Sequence, residues 1–326
     1  MFLKPVELPF YIEQYQAYVR RLPPSKLRND LEAQYKKYWT GFKGEKLLEP
    51  ILASLPDKDY LTIHDLRLFN GVHYFQIDYL VLTAKFILIL EVKNIAGTLT
   101  LDFLSHSLTR TLNNKREVFQ DPTVQSEMLS RQLQDWLAEH CDYLPEIPVE
   151  DLVVFASPAT FIRFLNANNH KEQKVIRSSQ MKKKVAAINS RMTTRIISSK
   201  MLRSVSEELL KNHHPKTLDL IGDGSVSVEE LIKGVQCPYC ECIPMIRLHR
   251  NWKCPSCQQT SPKAYLRALR DYRLLMGSKI TTQDCKEFLQ LASSSTSKYL
   301  LQTTHPNHSG NTRARMYYLS SSERRK

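Results

Sequence analysis

The sequence predicts an α/β fold: a mixed-sheet layer domain over residues 38–215, then a small metal-binding module and a basic, mainly helical tail. Three observations predict it. Strand-like patterning over residues 60–102 lies between two helical stretches and is followed by another apolar strand and more helices. Two CxxC pairs lie close together at 237–257. Basic charge gathers in two blocks rather than being spread evenly.

Taken in order, residues 1–37 read as an N-terminal arm, broken at Pro23-Pro24, with a tyrosine-rich helix from about 25 to 39. The stretch GFKGEKLLEPILASL (41–55) sets Leu47, Leu48, Ile51, Leu52 and Leu55 at helical spacing, with a glycine entry and Pro56 as the stop. Residues 60–69 alternate as a strand, and Asn70-Gly71 signals a turn. Strands at 73–82 and 86–93 follow, with a shorter one near 97–102. The segment 121–140 predicts a helix capped by Asp121, with Pro122 in its first turn and a stripe of Val124, Met128, Leu129, Leu133, Trp136 and Leu137. Residues 151–157 form a compact apolar strand and 175–178 a further one, with helices at 181–188 and 201–213.

Net charge is +13, from 46 Lys+Arg against 33 Asp+Glu. Residues 237–326 hold 15 basic and 5 acidic side chains, and residues 171–203 hold 10 basic and one acidic, so the remainder is acidic. Such blocks suit nucleic-acid phosphates, although a basic run also serves as a solvated face. No apolar stretch approaches the roughly 18 residues of a membrane span. The opening MFLKPVELPF lacks a basic-then-apolar leader pattern, so a cytoplasmic protein without a membrane partner is expected. In that reducing setting the paired cysteines point to metal rather than disulfides.

The stretch QIDYLVLTAKFILILEVKN (76–94) carries the chemistry. A tight turn at Ala84 and Lys85 pairs positions whose numbers sum to 169, which sets Asp78 opposite Glu91. Lys93 lies two residues further on the same strand face. Two close carboxylates repel unless a cation or a shared proton compensates, and a hard divalent metal with oxygen ligands does so. This predicts a metal-dependent phosphodiesterase centre. The plainer alternatives are a solvent-facing Asp78 and a simple Glu91–Lys93 ion pair. Glu45 adds a third acid, at a helix start where the dipole favours a carboxylate anyway. His64 and Asp65 are set aside, because neighbours on a strand point to opposite faces.

GxxGE at 41–45, QID at 76–78, ExKN at 91–94 and DPxxQ at 121–125 together resemble the NERD (nuclease-related) domain, over about residues 38–160. The resemblance implies a restriction-endonuclease-like, PD-(D/E)xK fold. It implies catalytic roles for Glu45, Asp78, Glu91, Lys93 and Gln125. Asp78 and Glu91 would bind Mg²⁺ or Mn²⁺ with help from the Val92 carbonyl, and Lys93 would orient the attacking hydroxide or stabilise the transition state. Glu45 would orient the metal's water and Gln125 would position the site. Homodimers that cut both strands are common among such folds. Residues 160–215 match no motif.

Cys237, Cys240, Cys254 and Cys257 give C-x2-C-x13-C-x2-C, which resembles a zinc ribbon over 237–262. Four thiolates close the site, so the Zn²⁺ is structural. Residues 216–236 read as a linker. Arg250 and Lys253, beside Arg247, His249 and Trp252, decorate the ribbon's hairpin as nucleic-acid contacts, while Trp252 also suits the small ribbon core. Cys242 falls outside the spacing, and Cys141 and Cys285 read as core cysteines.

Residues 263–326 read as a basic helix at 264–276, a helix capped by Thr281 or Thr282 and ending near Leu289, a helix from 296 to 303, and a hairpin with Arg313 and Arg315 near its tip. This resembles a winged helix-turn-helix, with Ser294, Ser295, Thr296, Ser297 and Lys298 facing DNA. A helical protein-interaction tail is the alternative, and the final SSERRK is expected to be disordered. The whole predicts a Mg-dependent deoxyribonuclease, with DNA preferred over RNA. The rivals are a catalytically silent DNA-binding scaffold and an interaction adaptor.

Overall fold

A computed structural model describes residues 1–56, 60–166, 169–311 and 315–320. The chain forms two compact units: Met1–Pro9 with Lys37–Lys216, and Phe10–Lys36 with Thr217–Lys326. In chain order, strand β1 (Phe2–Lys4) precedes helices α1 (Phe10–Arg21) and α2 (Lys26–Ala53). Strands β2 (Leu61–Phe69), β3 (Tyr74–Leu82), β4 (Ile87–Lys93), β5 (Gly97–Asp102), β6 (Ser107–Leu112) and β7 (Lys115–Gln120) lead to helix α3 (Pro122–His140). Then come β8 (Val149–Phe155), β9 (Thr160–Leu165), the short α4 (Asn169–Glu172), β10 (Val175–Arg177), α5 (Met181–Arg191) and α6 (Ser199–Lys211).

The first unit is built on a six-stranded mixed sheet in the order β1-β2-β3-β4-β8-β10. Strands β2, β3 and β4 are antiparallel, while β1, β8 and β10 join parallel to their neighbours. Helices flank the sheet on both sides. Leu129, Leu133 and Trp136 of α3 and Leu202 and Leu209 of α6 cover one face with Leu80, Ile87 and Ile89. Leu48 and Leu52 of α2 and Met181, Val185 and Ile188 of α5 cover the other with Val81, Leu88 and Leu90. Burial on both faces explains why β4 reads as an unbroken apolar run.

Helix α2 corrects the sequence reading. The two helices expected at 25–39 and 41–55 are one helix, with Gly41, Gly44 and Pro50 inside it. Each glycine costs about 1 kcal/mol relative to alanine, and fully buried Leu48 and Leu52 offset that cost. Glu45 therefore sits far from any helix start, and the dipole account of it fails. Asp121 caps α3 as expected, accepting from Thr123 N, but Met128 of the expected stripe is exposed.

A second, four-stranded sheet in the order β7-β6-β5-β9 was foreseen only at β5. Its β6–β7 turn carries Asn113 and Asn114 with φ of 50° and 60°, a conformation asparagine tolerates well. Every residue of the edge strand β7 is exposed.

In the second unit, Ala17 and Tyr18 of α1, with Leu22 just past its end, pack with Val226, Leu231, Leu274 and Leu275. Arg21, fully buried, pairs with buried Asp271 at 2.9 Å and donates to the carbonyls of Ile232 and Gly234. The segment read as an arm is thus divided, since β1 joins the first unit's sheet and α1 joins this core. Residues 216–236, read as a linker, supply buried Val226 and Leu231. Next come the hairpin β11 (Ile246–Arg247) and β12 (Trp252–Lys253), helix α7 (Tyr265–Met276), β13 (Lys279–Thr281), α8 (Thr282–Phe288), α9 (Ser294–Thr304), β14 (His308–Ser309) and β15 (Met316–Tyr318). The last three strands form one antiparallel sheet, β13-β15-β14. Among the described residues no helix is long and apolar enough to cross a membrane.

Candidate active site

The β3–β4 hairpin turns at Ala84 and Lys85, closed by Thr83 N donating to Phe86 O at 3.1 Å. Its register pairs Leu82 with Ile87 and ends at Tyr79 with Leu90, so the numbers sum to 169 as expected. At the next position the strands part. Asp78 and Glu91 lie just past the last paired position, and Asp78 Oδ2 accepts from Val92 N at 2.8 Å. Strand β4 continues beside β8 as far as Lys93 with Phe155. The charged residues occupy the notch where the sheet divides.

Lys93 Nζ donates to Glu91 Oε1 at 2.6 Å and to Gln125 Oε1 at 3.0 Å. Gln125 sits one turn inside α3, whose start is fixed by the Asp121 cap. Glu45 comes from the middle of α2, anchored by Tyr79 Oη donating to its carbonyl at 2.8 Å. Gly44 brings α2 close. A Cβ built there would lie 2.4 Å from Asn94 Cβ, and Asn94 Nδ2 donates to Thr40 O at 2.7 Å. The glycine before Glu45 is therefore required by close approach rather than by a turn.

His64 was set aside on the sequence and belongs here. Its imidazole is 0% exposed, with Nε2 at 2.8 Å from Glu45 Oε2. Strict alternation fails because Asp65 has φ of 51°. The β2–β3 ladder skips Asp65 without slipping register, and both Ile63 and Leu66 face the same core. A buried histidine in an apolar strand requires a polar partner, and that signal was present in the sequence. Asp65 is held by Lys4 Nζ at 3.2 Å and by Gln76 Nε2 at 2.7 Å.

Burial, followed by the charges of Glu91 and Glu45, pushes the Asp78 carboxyl well above the usual carboxylate range. The Val92 N–H and Lys93 pull the other way without cancelling it. Three carboxylates against one lysine leave the notch short of positive charge. Oxygen donors of this kind fit a hard divalent cation. The three are not gathered to one point, however. Among the described residues, the only group of three or more His, Cys, Asp or Glu ligand atoms all within 4.8 Å of one another is Cys237, Cys240, Cys254 and Cys257.

In that group Cys237 and Cys257 sulfurs lie 3.6 Å apart and those of Cys240 and Cys254 3.4 Å. Four thiols at this spacing fit a tetrahedral zinc. Cys242 stays outside the group, its carbonyl accepting from Cys237 N. Trp252 is buried in the adjoining core with Met245 and Cys254, so it offers no stacking face. Arg250, Lys253 and Lys298 are exposed, whereas Arg315 is half-buried. Ser297, expected to face outward, is fully buried. Arg313 and the final SSERRK lie outside the described residues.

Residues 40–156 match the family model of the nuclease-related domain. An uncharacterized protein of Bacillus anthracis is 24% identical over 156 residues, spanning 48% of this chain and 70% of that protein. No solved structure matches.

Proposed function

We propose, from the premise that residues 40–156 are a nuclease-related domain, that the protein is a metal-dependent nuclease hydrolysing phosphodiester bonds of DNA. The observation that carries this reading is the clustering of Asp78, Glu91, Lys93 and Gln125 where the β3–β4 ladder ends, with Glu45 near enough for its charge to raise the Asp78 carboxyl. Asp78 and Glu91 would hold Mg²⁺ or Mn²⁺, with the Val92 carbonyl as a further oxygen donor. A cation of this class supplies charge neutralisation at the phosphate and a water of lowered pKa.

The chain's own residues do the rest. Lys93 Nζ, steadied by Gln125 Oε1, is available to a non-bridging phosphate oxygen, where negative charge grows in the transition state. His64, donating from Nε2, engages Glu45 Oε2 and leaves the other carboxylate oxygen to orient a water. The four-cysteine zinc would be structural, because a closed site keeps no open position. Helices α8 and α9 with the β14–β15 hairpin suit a winged-helix-like reader of DNA, with Lys298 and Arg315 on phosphates and Arg250 and Lys253 adding contacts from the ribbon. Thiol ligands kept reduced fit a cytoplasmic setting, and cutting both strands of a duplex would call for a homodimer.

The test is zinc-loaded full-length protein on supercoiled plasmid, with and without Mg²⁺ or Mn²⁺, beside Asp78→Ala and Lys93→Ala. Cleavage should require the divalent ion, vanish in Asp78→Ala, and slow by about 10²- to 10³-fold in Lys93→Ala. Plasmid that is shifted in a gel yet intact under every condition would mark a DNA-binding scaffold instead.

A further inference from the structure

The outer half of the β2–β3 hairpin has one face closed and one open. Leu66, Leu68, Phe75 and Ile77 are buried, while Asp65, Arg67, Phe69, Tyr74, Gln76 and Asp78 alternate with them on the accessible side. Arg67 stands opposite Gln76 and Phe69 opposite Tyr74. The open row thus runs from the candidate catalytic carboxylate Asp78, through Gln76 and Arg67, to an aromatic pair beside the Asn70-Gly71 turn.

That end is a prepared surface. The Arg67 guanidinium lies 3.8 Å from the Tyr74 ring centre, and the Phe69 and Tyr74 rings are 4.9 Å apart. Tyr74 also meets His214 edge-on at 5.7 Å. Arg67 is fixed by its NH1 donating to His214 O at 3.2 Å and by its backbone N–H donating to His213 Nδ1 at 3.1 Å. Tyr74 and Phe69 nevertheless remain 44% and 40% exposed. Asp78 lies four residue steps along the strand from Tyr74, about 14 Å at the usual rise. The cleavage chemistry above uses none of these aromatic residues.

We propose that Arg67, Phe69 and Tyr74 form a base-stacking step for a single-stranded stretch of nucleic acid whose scissile phosphate lies at Asp78. The inference rests on the nuclease reading and names its substrate class. Single strands offer free base faces, which stack on exposed aromatic rings, and cationic side chains beside those rings take the phosphates. A duplex keeps its base faces inside the helix and has nothing to lay on Tyr74. Continuity along one strand face links the step to the carboxylate, and the Arg67 charge complements the strand's phosphates.

The experiment measures binding of the full-length, zinc-loaded chain to a fluorescent single-stranded oligothymidylate and to a blunt duplex. It is run by anisotropy with Ca²⁺ in place of Mg²⁺, so that affinity is read without cleavage. Tyr74→Leu, which keeps apolar bulk and removes the ring, should weaken single-strand binding about tenfold and leave duplex binding unchanged. Tyr74→Phe should bind within about twofold of the parent. Unchanged single-strand affinity in Tyr74→Leu, or equal losses on single strand and duplex, would overturn the step. The two readings fail separately. An intact plasmid with selective loss in Tyr74→Leu retains the stacking site without the nuclease. Mg-dependent cutting with a neutral Tyr74→Leu retains the nuclease and removes the step.

Discussion

Gly44 and Gly41 lie three residues apart in one helix, and alanine should act oppositely at the two. Alanine at an open helical site stabilises by about 1 kcal/mol, and nothing lies within 4 Å of a Cβ at Gly41. At Gly44 the Cβ would meet Asn94, so Gly44→Ala should destabilise by about 1–3 kcal/mol. Urea denaturation of the two variants reads the sign directly. His213 gives a pH signature. Burial first, then the charges of Lys4 and His214, hold its imidazole down to about 4. The unfolded chain takes up that proton near the ordinary value of about 6.5, whereas the folded chain resists it. The stability tied to neutral His213 is therefore whole above about 6.5 and drains as pH falls toward 4. The melting temperature should decline across that window, and less steeply in His213→Asn. Single residues were also where the sequence reading was weakest. His64 was lost because alternation was assumed through Asp65, whose left-handed backbone breaks it, and because the need of a buried histidine for a polar partner was not weighed.

At the scale of elements, the β3–β4 register was legible because a two-residue turn and an apolar run on each side leave one pairing that keeps the faces consistent. Helix α3 was legible because Asp121 and Pro122 mark its start. Asp121→Ala removes an oxygen that serves both Thr123 N and Thr123 Oγ1. It should lower stability by about 1 kcal/mol and slow the proposed cleavage through the loosened Gln125, measurable in a plasmid time course. Helix α2 was illegible for the converse reason. Two glycines and a proline argue locally for breaks, and only packing against the sheet, through Leu48 and Leu52, overrides them. The second sheet was missed although Asn113-Asn114 offered a hairpin turn, because its strands β6 and β7 are mostly polar and, apart from buried Leu108, half or fully exposed, without an apolar run to announce them.

At the scale of the molecule, each unit depends on a different kind of cohesion. The first is a large sheet buried on both sides. The second gathers a smaller core, a buried Arg21–Asp271 pair and the four-cysteine group. Stripping the proposed zinc should loosen the core around Cys237 and Cys254 and wet Trp252. Chelation is therefore expected to shift tryptophan emission to the red, with most of the shift absent in Trp252→Phe. The fold and the carboxylate–lysine patch could be read from the chain because they rest on runs and spacings. The partners of that patch could not, since His64 and Gly44 act through contacts between elements distant in sequence. Strand β7 closes one side of the smaller sheet, and among the described residues no strand pairs with its outer backbone groups. Val118 and Phe119 there are 66% and 39% exposed. Such an open edge invites another chain to add itself as the next strand, and Lys115, Arg116 and Glu117 are the charges that discourage it. Neutralising those charges should therefore promote association of the protein in concentrated solution, an outcome light scattering would read.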